Sequence, residues 1–233
     1  MALDVHRIRA ISLDLDDTLW PVWPVIARAE GELCVWLALH APATARRFPD
    51  GSALRALVKQ LWSEQPELRV DLGALRRESI RLALQQAGDD PALAEPAYAC
   101  FYAARQKVEL FEDALAALEF LAGRYPIVAV TNGNADVHAA GVGRFFHAHL
   151  GAAQLGFAKP DARIFRAAAE AADVAPDAVL HVGDDVLLDV RGALDAGMQA
   201  AWVNRAGRAW PPEHAQPPQA TVADLDALCA LLR

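Results

Sequence analysis

Four short, nearly continuous apolar runs punctuate the chain: Ile8–Leu13, Ile127–Val130, Val179–Val182 and Ala200–Val203. A strand buried on both faces reads this way, and such strands belong to parallel sheets. Between the later runs the apolar positions repeat with a helical period. Residues 113–122 place Leu115, Leu118, Phe120 and Leu121 in one helix. Asp161 stands as the cap of another, carrying Ile164 and Phe165 on an alanine-rich body. Residues 186–196 read as a third, stopped by Gly197, and Asp224 caps a last one reaching Leu232. A fifth strand near residues 149–153 has a fainter pattern. Strand and helix in alternation predict an α/β fold with a Rossmann-like parallel sheet.

Residues 21–107 break that rhythm. Val25, Ala29, Leu33, Trp36 and Leu37 make one helical stripe, and Leu54, Leu57, Val58 and Leu61 a second. Leu72, Leu75, Ile80, Leu82 and Leu84 suggest a third that ends at Gly88, and residues 91–102 a fourth. No convincing strand lies among them. The pattern predicts an all-helical domain (21–107) inserted into a core made of 1–20 and 108–233. The proline-rich stretch from Trp210 to Pro218 falls inside that core and reads as a fixed surface connection.

Composition narrows the picture. At 54% hydrophobic and 22% charged residues, the 233-residue chain can bury a substantial core. A formal net charge of −8 speaks against a general nucleic-acid or anionic-membrane binder. Cys34, Cys100 and Cys229 are odd in number and scattered, as reduced thiols in a cytoplasmic protein would be. The opening, with Asp4, His6, Arg7 and Arg9 ahead of the first apolar run, lacks the pattern of a signal peptide. No uncharged apolar run approaches the roughly 20 residues of a membrane helix. Monomer and homodimer are both compatible with the sequence.

The candidate chemistry gathers at strand ends. The first run finishes as ISLDLDDTLW, with Asp14, Asp16, Asp17 and Thr18 crowded together. The second ends in Thr131-Asn132-Gly133, the faint strand is followed by Lys159-Pro160, and the next run gives Gly183-Asp184-Asp185 with Asp189 beyond. In an open parallel sheet, ligands bind outside the carboxyl ends of the strands. Crowded carboxylates repel unless a cation offsets them. An oxygen-only set suits a hard divalent ion, which can also drain charge from a phosphate under attack.

In order, DLDDT, TNG, KPD and GDDVLLD resemble the four motifs of the haloacid dehalogenase superfamily, and the helical insertion resembles that superfamily's helical cap. The resemblance implies a Mg²⁺-dependent phosphatase acting on a small-molecule phosphate ester. It makes Asp14 the nucleophile that becomes an aspartyl-phosphate, and Asp16 the acid that protonates the leaving alcohol and then activates water. It implies that Thr131 and Asn132 hold phosphate oxygens and that Lys159 offsets charge. Asp14, the Asp16 carbonyl and Asp184 would hold the ion, with Asp185 and Asp189 beside it, directly or through water. Asp17 would serve the turn, and His181 would be buried rather than catalytic. Trp20 and Trp23 are candidates for the pocket wall.

Dehalogenases share the fold and the nucleophile but need no proton for a departing halide, so Asp16 favours phosphate esters. A phosphomutase carrying the same motifs stays open. A narrower similarity, strongest in VAVTNGNADV and VLHVGDDVLLDVRGALDAGMQAAWV, is to bacterial phosphatases of flavin mononucleotide and the phosphoribitylaminouracil precursor of riboflavin. It thins across residues 41–104, where Arg76 and Arg77 could meet a substrate or only pack. Two other classes compete with an enzyme of this kind. A phosphoacceptor signalling domain would be shorter and lack the second acid. A non-catalytic scaffold would not need the complete set of polar residues.

Overall fold

The computed structural model describes residues 2–214 and 216–233. In chain order the elements are β1 (Ala10–Leu13), α1 (Val22–His40), α2 (Pro42–Arg47), α3 (Gly51–Glu64), α4 (Leu72–Ala87) and α5 (Ala94–Arg105). There follow α6 (Ala114–Ala122), β2 (Ile127–Thr131), β3 (Ala148–Gly151), α7 (Ala152–Leu155), α8 (Ala162–Ala171) and β4 (Val179–Gly183). The chain closes with α9 (Gly192–Asp195), β5 (Gln199–Val203), β6 (Ala220–Val222) and α10 (Leu225–Leu231). It divides into two compact units. One comprises the residues up to Pro21 with Leu110–Asn132 and Val137–Arg233; the other comprises Val22–Glu109 with Gly133–Asp136.

The first unit is built on a six-stranded sheet in the order β3-β2-β1-β4-β5-β6, with every pairing parallel. Strand order reverses at β1, which lies between β2 and β4. That is the switch point at which a doubly wound sheet opens a crevice. β1, β2 and β4 are buried at every position, which explains their continuous apolar runs. One face packs on Ile164, Phe165 and Ala168 of α8 and on Val190 and Ala193, with Val128, Val130, Val179 and Trp202 of the sheet in the same cluster. Asp161 caps α8 by accepting from the Arg163 N–H, and Asp224 caps α10 by accepting from that of Ala227.

Three features depart from the reading of the sequence. β3 is only half-buried along its length, so its apolar signal is weak. β6, a three-residue edge strand beside β5, carries no signal at all. The helix expected over 186–196 begins as a π-helical turn, Val186–Arg191, before α9, and Gly197 ends it at φ +85°.

The second unit is all-helical. Val25, Ala29, Leu33 and Leu37 line the buried face of α1, and Ala97, Phe101 and Ala104 of α5 join the same core. Asp50 and Asp71 cap α3 and α4, and Gly88 at φ +82° ends α4 in the left-handed conformation that glycine accepts without a Cβ clash. The short α2 has no counterpart in the stripes read from the sequence. The segment Gly133–Asp136 groups with these helices because Gln106 grips its backbone. Gln106 Nε2 donates to the Asn134 carbonyl at 3.1 Å, and Oε1 accepts from the Asp136 N–H at 2.8 Å.

Candidate active site

The end of β1 sets the first residues of the site. The Asp14 N–H donates to the Val182 carbonyl at 2.9 Å, extending the ladder one residue past the strand. Asp17 then takes φ +59°, a conformation that costs most residues but that a short Asp tolerates. The chain turns back, and the Asp17 N–H donates to the Trp20 carbonyl at 2.7 Å. The Thr18 hydroxyl is thereby placed between two carboxylates, 3.4 Å from Asp14 Oδ2 and 3.5 Å from Asp184 Oδ1.

Lys159 enters from the loop ahead of α8. Asn132, at the end of β2, holds that loop through both arms of its side chain. Oδ1 accepts from the Lys159 N–H at 2.8 Å and Nδ2 donates to the Lys159 carbonyl at 3.0 Å. The Lys159 ammonium is buried and donates to Asp14 Oδ1 at 2.5 Å and to Asp189 Oδ1 at 2.6 Å. Asp189 also accepts from the Asp185 N–H at 2.9 Å. Its carboxyl lies against Gly183, where any side chain would overlap it, so the close approach depends on glycine.

Beneath Asp189 runs a buried polar chain. His181 Nε2 lies 3.1 Å from Asp189 Oδ1, and Nδ1 lies 2.8 Å from the Ser12 hydroxyl. Burial lowers the His181 pKa despite its acidic neighbour, so the ring is neutral at pH 7. A neutral ring beside a carboxylate donates from Nε2, which leaves Nδ1 to accept from Ser12. Trp202 Nε1 donates to the Asp184 carbonyl at 2.8 Å and steadies the fourth-motif turn.

One ligand oxygen from each of Asp14, Asp184 and Asp189 lies within 4.8 Å of the others. Burial pushes the Asp14 carboxyl well up, with Lys159 pulling against it and Asp189 and Asp184 adding to it. Burial alone would discharge Lys159, but Asp14 and Asp189 outweigh it and hold the ammonium above its ordinary range. Burial also works to protonate Asp189, but Lys159 and His181 prevail and hold it well down. Asp184 is compensated only weakly, with Lys159 the smallest of the influences on it. Burial first, then Asp189, Asp17 and Asp185, push it up to about 7. Three carboxylates facing one ammonium, all offering oxygen, fit a hard divalent cation.

Five of the residues singled out from the sequence meet at this edge: Asp14, Thr18, Lys159, Asp184 and Asp189 are in direct contact or share the cluster. Thr131 ends β2 and is buried beside them in the sheet. Three residues take other positions. Asp185 stands outside the acidic cluster because its Oδ1 caps the following turn, accepting from the N–H groups of Leu187 and Leu188. Trp20, expected on a pocket wall, is wholly enclosed, and its indole N–H is donated to Asp16. Trp23 is largely exposed. The sequence reading missed the bridging by Thr18, the support from Ser12 and His181, and the requirement for Gly183. The hydroxyl and imidazole at register-paired positions of β1 and β4 were the only signal for the second of these.

A family model described as a hydrolase, haloacid dehalogenase-like hydrolase, matches residues 8–197. The 5-amino-6-(5-phospho-D-ribitylamino)uracil phosphatase YigB of Escherichia coli is 36% identical over 201 residues, 84% of each chain. The phosphoserine phosphatase of Thermus thermophilus is 31% identical, covering 94% of this chain and 96% of its own. Among solved structures, a 2-haloacid dehalogenase from Pseudomonas syringae pv. tomato superposes with a TM-score of 0.88 at 36% identity, over 97% of this chain and 98% of that one. The chain belongs to the haloacid dehalogenase-like hydrolase family.

Proposed function

We propose that the protein is a phosphatase that cleaves a small-molecule phosphate monoester through an aspartyl-phosphate on Asp14. The observation that carries this reading is the placement of Asp14. It sits one residue past the end of the switch-point strand, bonded to Lys159 and clustered with Asp184 and Asp189, with a second acid, Asp16, two residues on. A relative named as a dehalogenase leaves halide chemistry as the competing reading. Asp16 favours phosphate esters, because an alkoxide needs a proton to leave and a halide does not.

In the first half-reaction an Asp14 carboxylate oxygen attacks phosphorus. As the ester P–O bond breaks, Asp16 gives its proton to the departing oxygen. In the second, water attacks the same phosphorus, Asp16 takes the water's proton, and the Asp14–phosphorus bond breaks. Lys159 offsets the charge gathered on Asp14 and the phosphoryl oxygens, while Asn132 fixes the backbone that carries it. Thr131 and the Asn132 N–H bind phosphoryl oxygens. Asp14, Asp184 and the Asp16 carbonyl would hold Mg²⁺, with Asp189 behind them. Bound there, the ion supplies positive charge to the phosphoryl oxygens during transfer. The helical unit acts as the family's cap and selects the substrate. Its class, by likeness to the relative from Escherichia coli, is a phosphorylated ribitylamino compound, with flavin mononucleotide the other candidate from the sequence resemblance. The cytoplasm is its proposed location, the reading that the scattered cysteines support; no helix among the described residues is long and apolar enough to cross a membrane.

Hydrolysis of p-nitrophenyl phosphate with Mg²⁺ tests the class. Asp14→Asn is expected to lower kcat by at least about 10³-fold, and chelation to abolish turnover. Mg²⁺-dependent turnover surviving in Asp14→Asn removes the nucleophile assignment, and release of halide from 2-haloacids without phosphatase activity returns the dehalogenase reading. A panel of flavin mononucleotide, phosphoserine and sugar phosphates tests the substrate class. Equal kcat/KM across the panel defeats it.

A further inference from the structure

We infer that Trp20 is the positioning residue for the general acid, and that its indole N–H makes Asp16 an acid with one working oxygen. The inference rests on the phosphatase reading above. Trp20 is completely buried, and its Nε1 donates to Asp16 Oδ1 at 2.8 Å. The same turn is closed along the backbone, with Asp16 and Trp20 in a parallel bridge and the Asp17 N–H on the Trp20 carbonyl at 2.7 Å. The next carbonyl back, that of Leu19, accepts from the Phe111 N–H at 2.9 Å, so both edges of the turn are fixed. An acid on a short polar turn otherwise has free χ angles, and a proton donor must be held in reach of the atom it serves.

Indole N–H donates and never accepts. The bare oxygen of a carboxylic acid is its stronger acceptor, so the one that faces the indole is Oδ1 without a proton, and the transferable proton sits on Oδ2. In the first half-reaction the Oδ2–H bond breaks, and its proton goes to the leaving oxygen as the ester bond opens. In the second, Oδ2 takes the proton of the attacking water. Oδ1 remains the acceptor from Trp20 throughout, so the side chain need not reorient between the two steps. An apolar ring of similar size would fill the same space without fixing the carboxyl. The donor atom, and not packing alone, is what this position supplies.

The test compares kcat/KM for two esters in wild type, Trp20→Phe, Asp16→Asn and the double variant. One is an alkyl phosphate, whose leaving group needs a proton; the other is p-nitrophenyl phosphate, whose leaving group does not. Trp20→Phe is expected to lower kcat/KM for the alkyl ester by about 10- to 100-fold and that for the aryl ester by no more than about threefold. In the Asp16→Asn background it should add nothing further. Because Phe is smaller than Trp, 3-benzothienylalanine at position 20 provides an isostere without the N–H, and it should reproduce the selective loss. Equal losses on the two esters, no loss on either, or additivity with Asp16→Asn overturns the inference while leaving the phosphatase reading in place. Wild-type protein that hydrolyses neither ester overturns both.

Discussion

Each of the two units buries a charged cluster, and the two are balanced in opposite directions. In the sheet unit, Asp14, Asp184 and Asp189 face the single ammonium of Lys159. In the helical unit, the lone carboxylate of Glu30, almost fully buried, receives Arg55 and, at 3.2 Å, Arg76. Arg76 also lies over the Phe101 ring at 4.6 Å. The first cluster is short of positive charge and leaves Asp184 pushed up to about 7. The second has no such deficit, since its acid is met from two sides. Carboxylates gathered to receive a cation carry unfavourable repulsion until it arrives, whereas the Glu30 cluster already holds more positive than negative charge. The imbalance is what the proposed cation site requires and what a brace does not.

Removing the brace should produce the largest change in stability. Glu30→Gln leaves Arg76 mostly buried without its partner, and breaking a buried pair in this way costs about 3 kcal/mol or more. Arg55 is more exposed and can turn to water, which keeps the cost near the lower end. Urea unfolding followed by helical circular dichroism reads the loss. Mg²⁺ affinity of the folded variant should be unchanged. An unaltered midpoint would mean that the Glu30 cluster braces nothing, and the contrast between the two units would fail.

Gly183→Ala attacks the other cluster through its packing. The new methyl group would overlap the Asp189 carboxyl and drive it off Lys159 and His181. Overpacking of this kind costs about 1–3 kcal/mol. Misplacing Lys159 should lower kcat by about 100-fold, since small displacements at a reacting centre are amplified. Thermal unfolding and steady-state kinetics on one preparation measure both. Wild-type kcat in Gly183→Ala would show that Asp189 does not fix Lys159.

How much of this could be read beforehand follows from where each signal lies. β1, β2, β4 and β5 were readable because burial on both faces leaves continuous apolar runs. β3 sits at an edge with every residue half-exposed, and β6 has three residues, so neither leaves a run to see. The acids and lysine at the strand ends were readable because their types and order are unusual together. Glu30 was not. It looks like any acid on a helix, and its burial depends on Arg55 and Arg76, which arrive 25 and 46 residues later. The bond from Trp20 to Asp16 spans only four residues, but it exists only because Asp17 turns the chain at φ +59°. Chemistry carried by residue type was visible; chemistry carried by a backbone turn or a distant partner was not.

The smallest effect bears most directly on the charge deficit. Asp184 in the metal-free protein is held up to about 7, against roughly 3.9 for an unfolded Asp. Between these values the folded state binds the proton more tightly than the unfolded one, so this group makes stability fall as pH rises through the window. Asp14, pushed in the same direction, adds to the fall. His181, lowered by burial, works oppositely and favours the folded state as pH rises toward about 6.5. The total pH profile therefore mixes signs, but the stabilisation conferred by Mg²⁺ does not. The ion requires ionised carboxylates, so below about 7 its binding competes with protons and weakens by about 1.4 kcal/mol per pH unit for each proton displaced. The Tm increase produced by a fixed Mg²⁺ concentration should be small at pH 5.5 and larger at pH 8, and most of that pH dependence should vanish in Asp184→Asn. Glu30→Gln should leave the Mg²⁺ shift and its pH dependence as they are in the wild type, because an acid already met by two guanidinium groups takes no part in holding the ion. A Mg²⁺ shift independent of pH in the wild type would mean that the carboxylates at the end of β1 and β4 are not held short of positive charge, and the contrast with the helical unit would lose its physical basis.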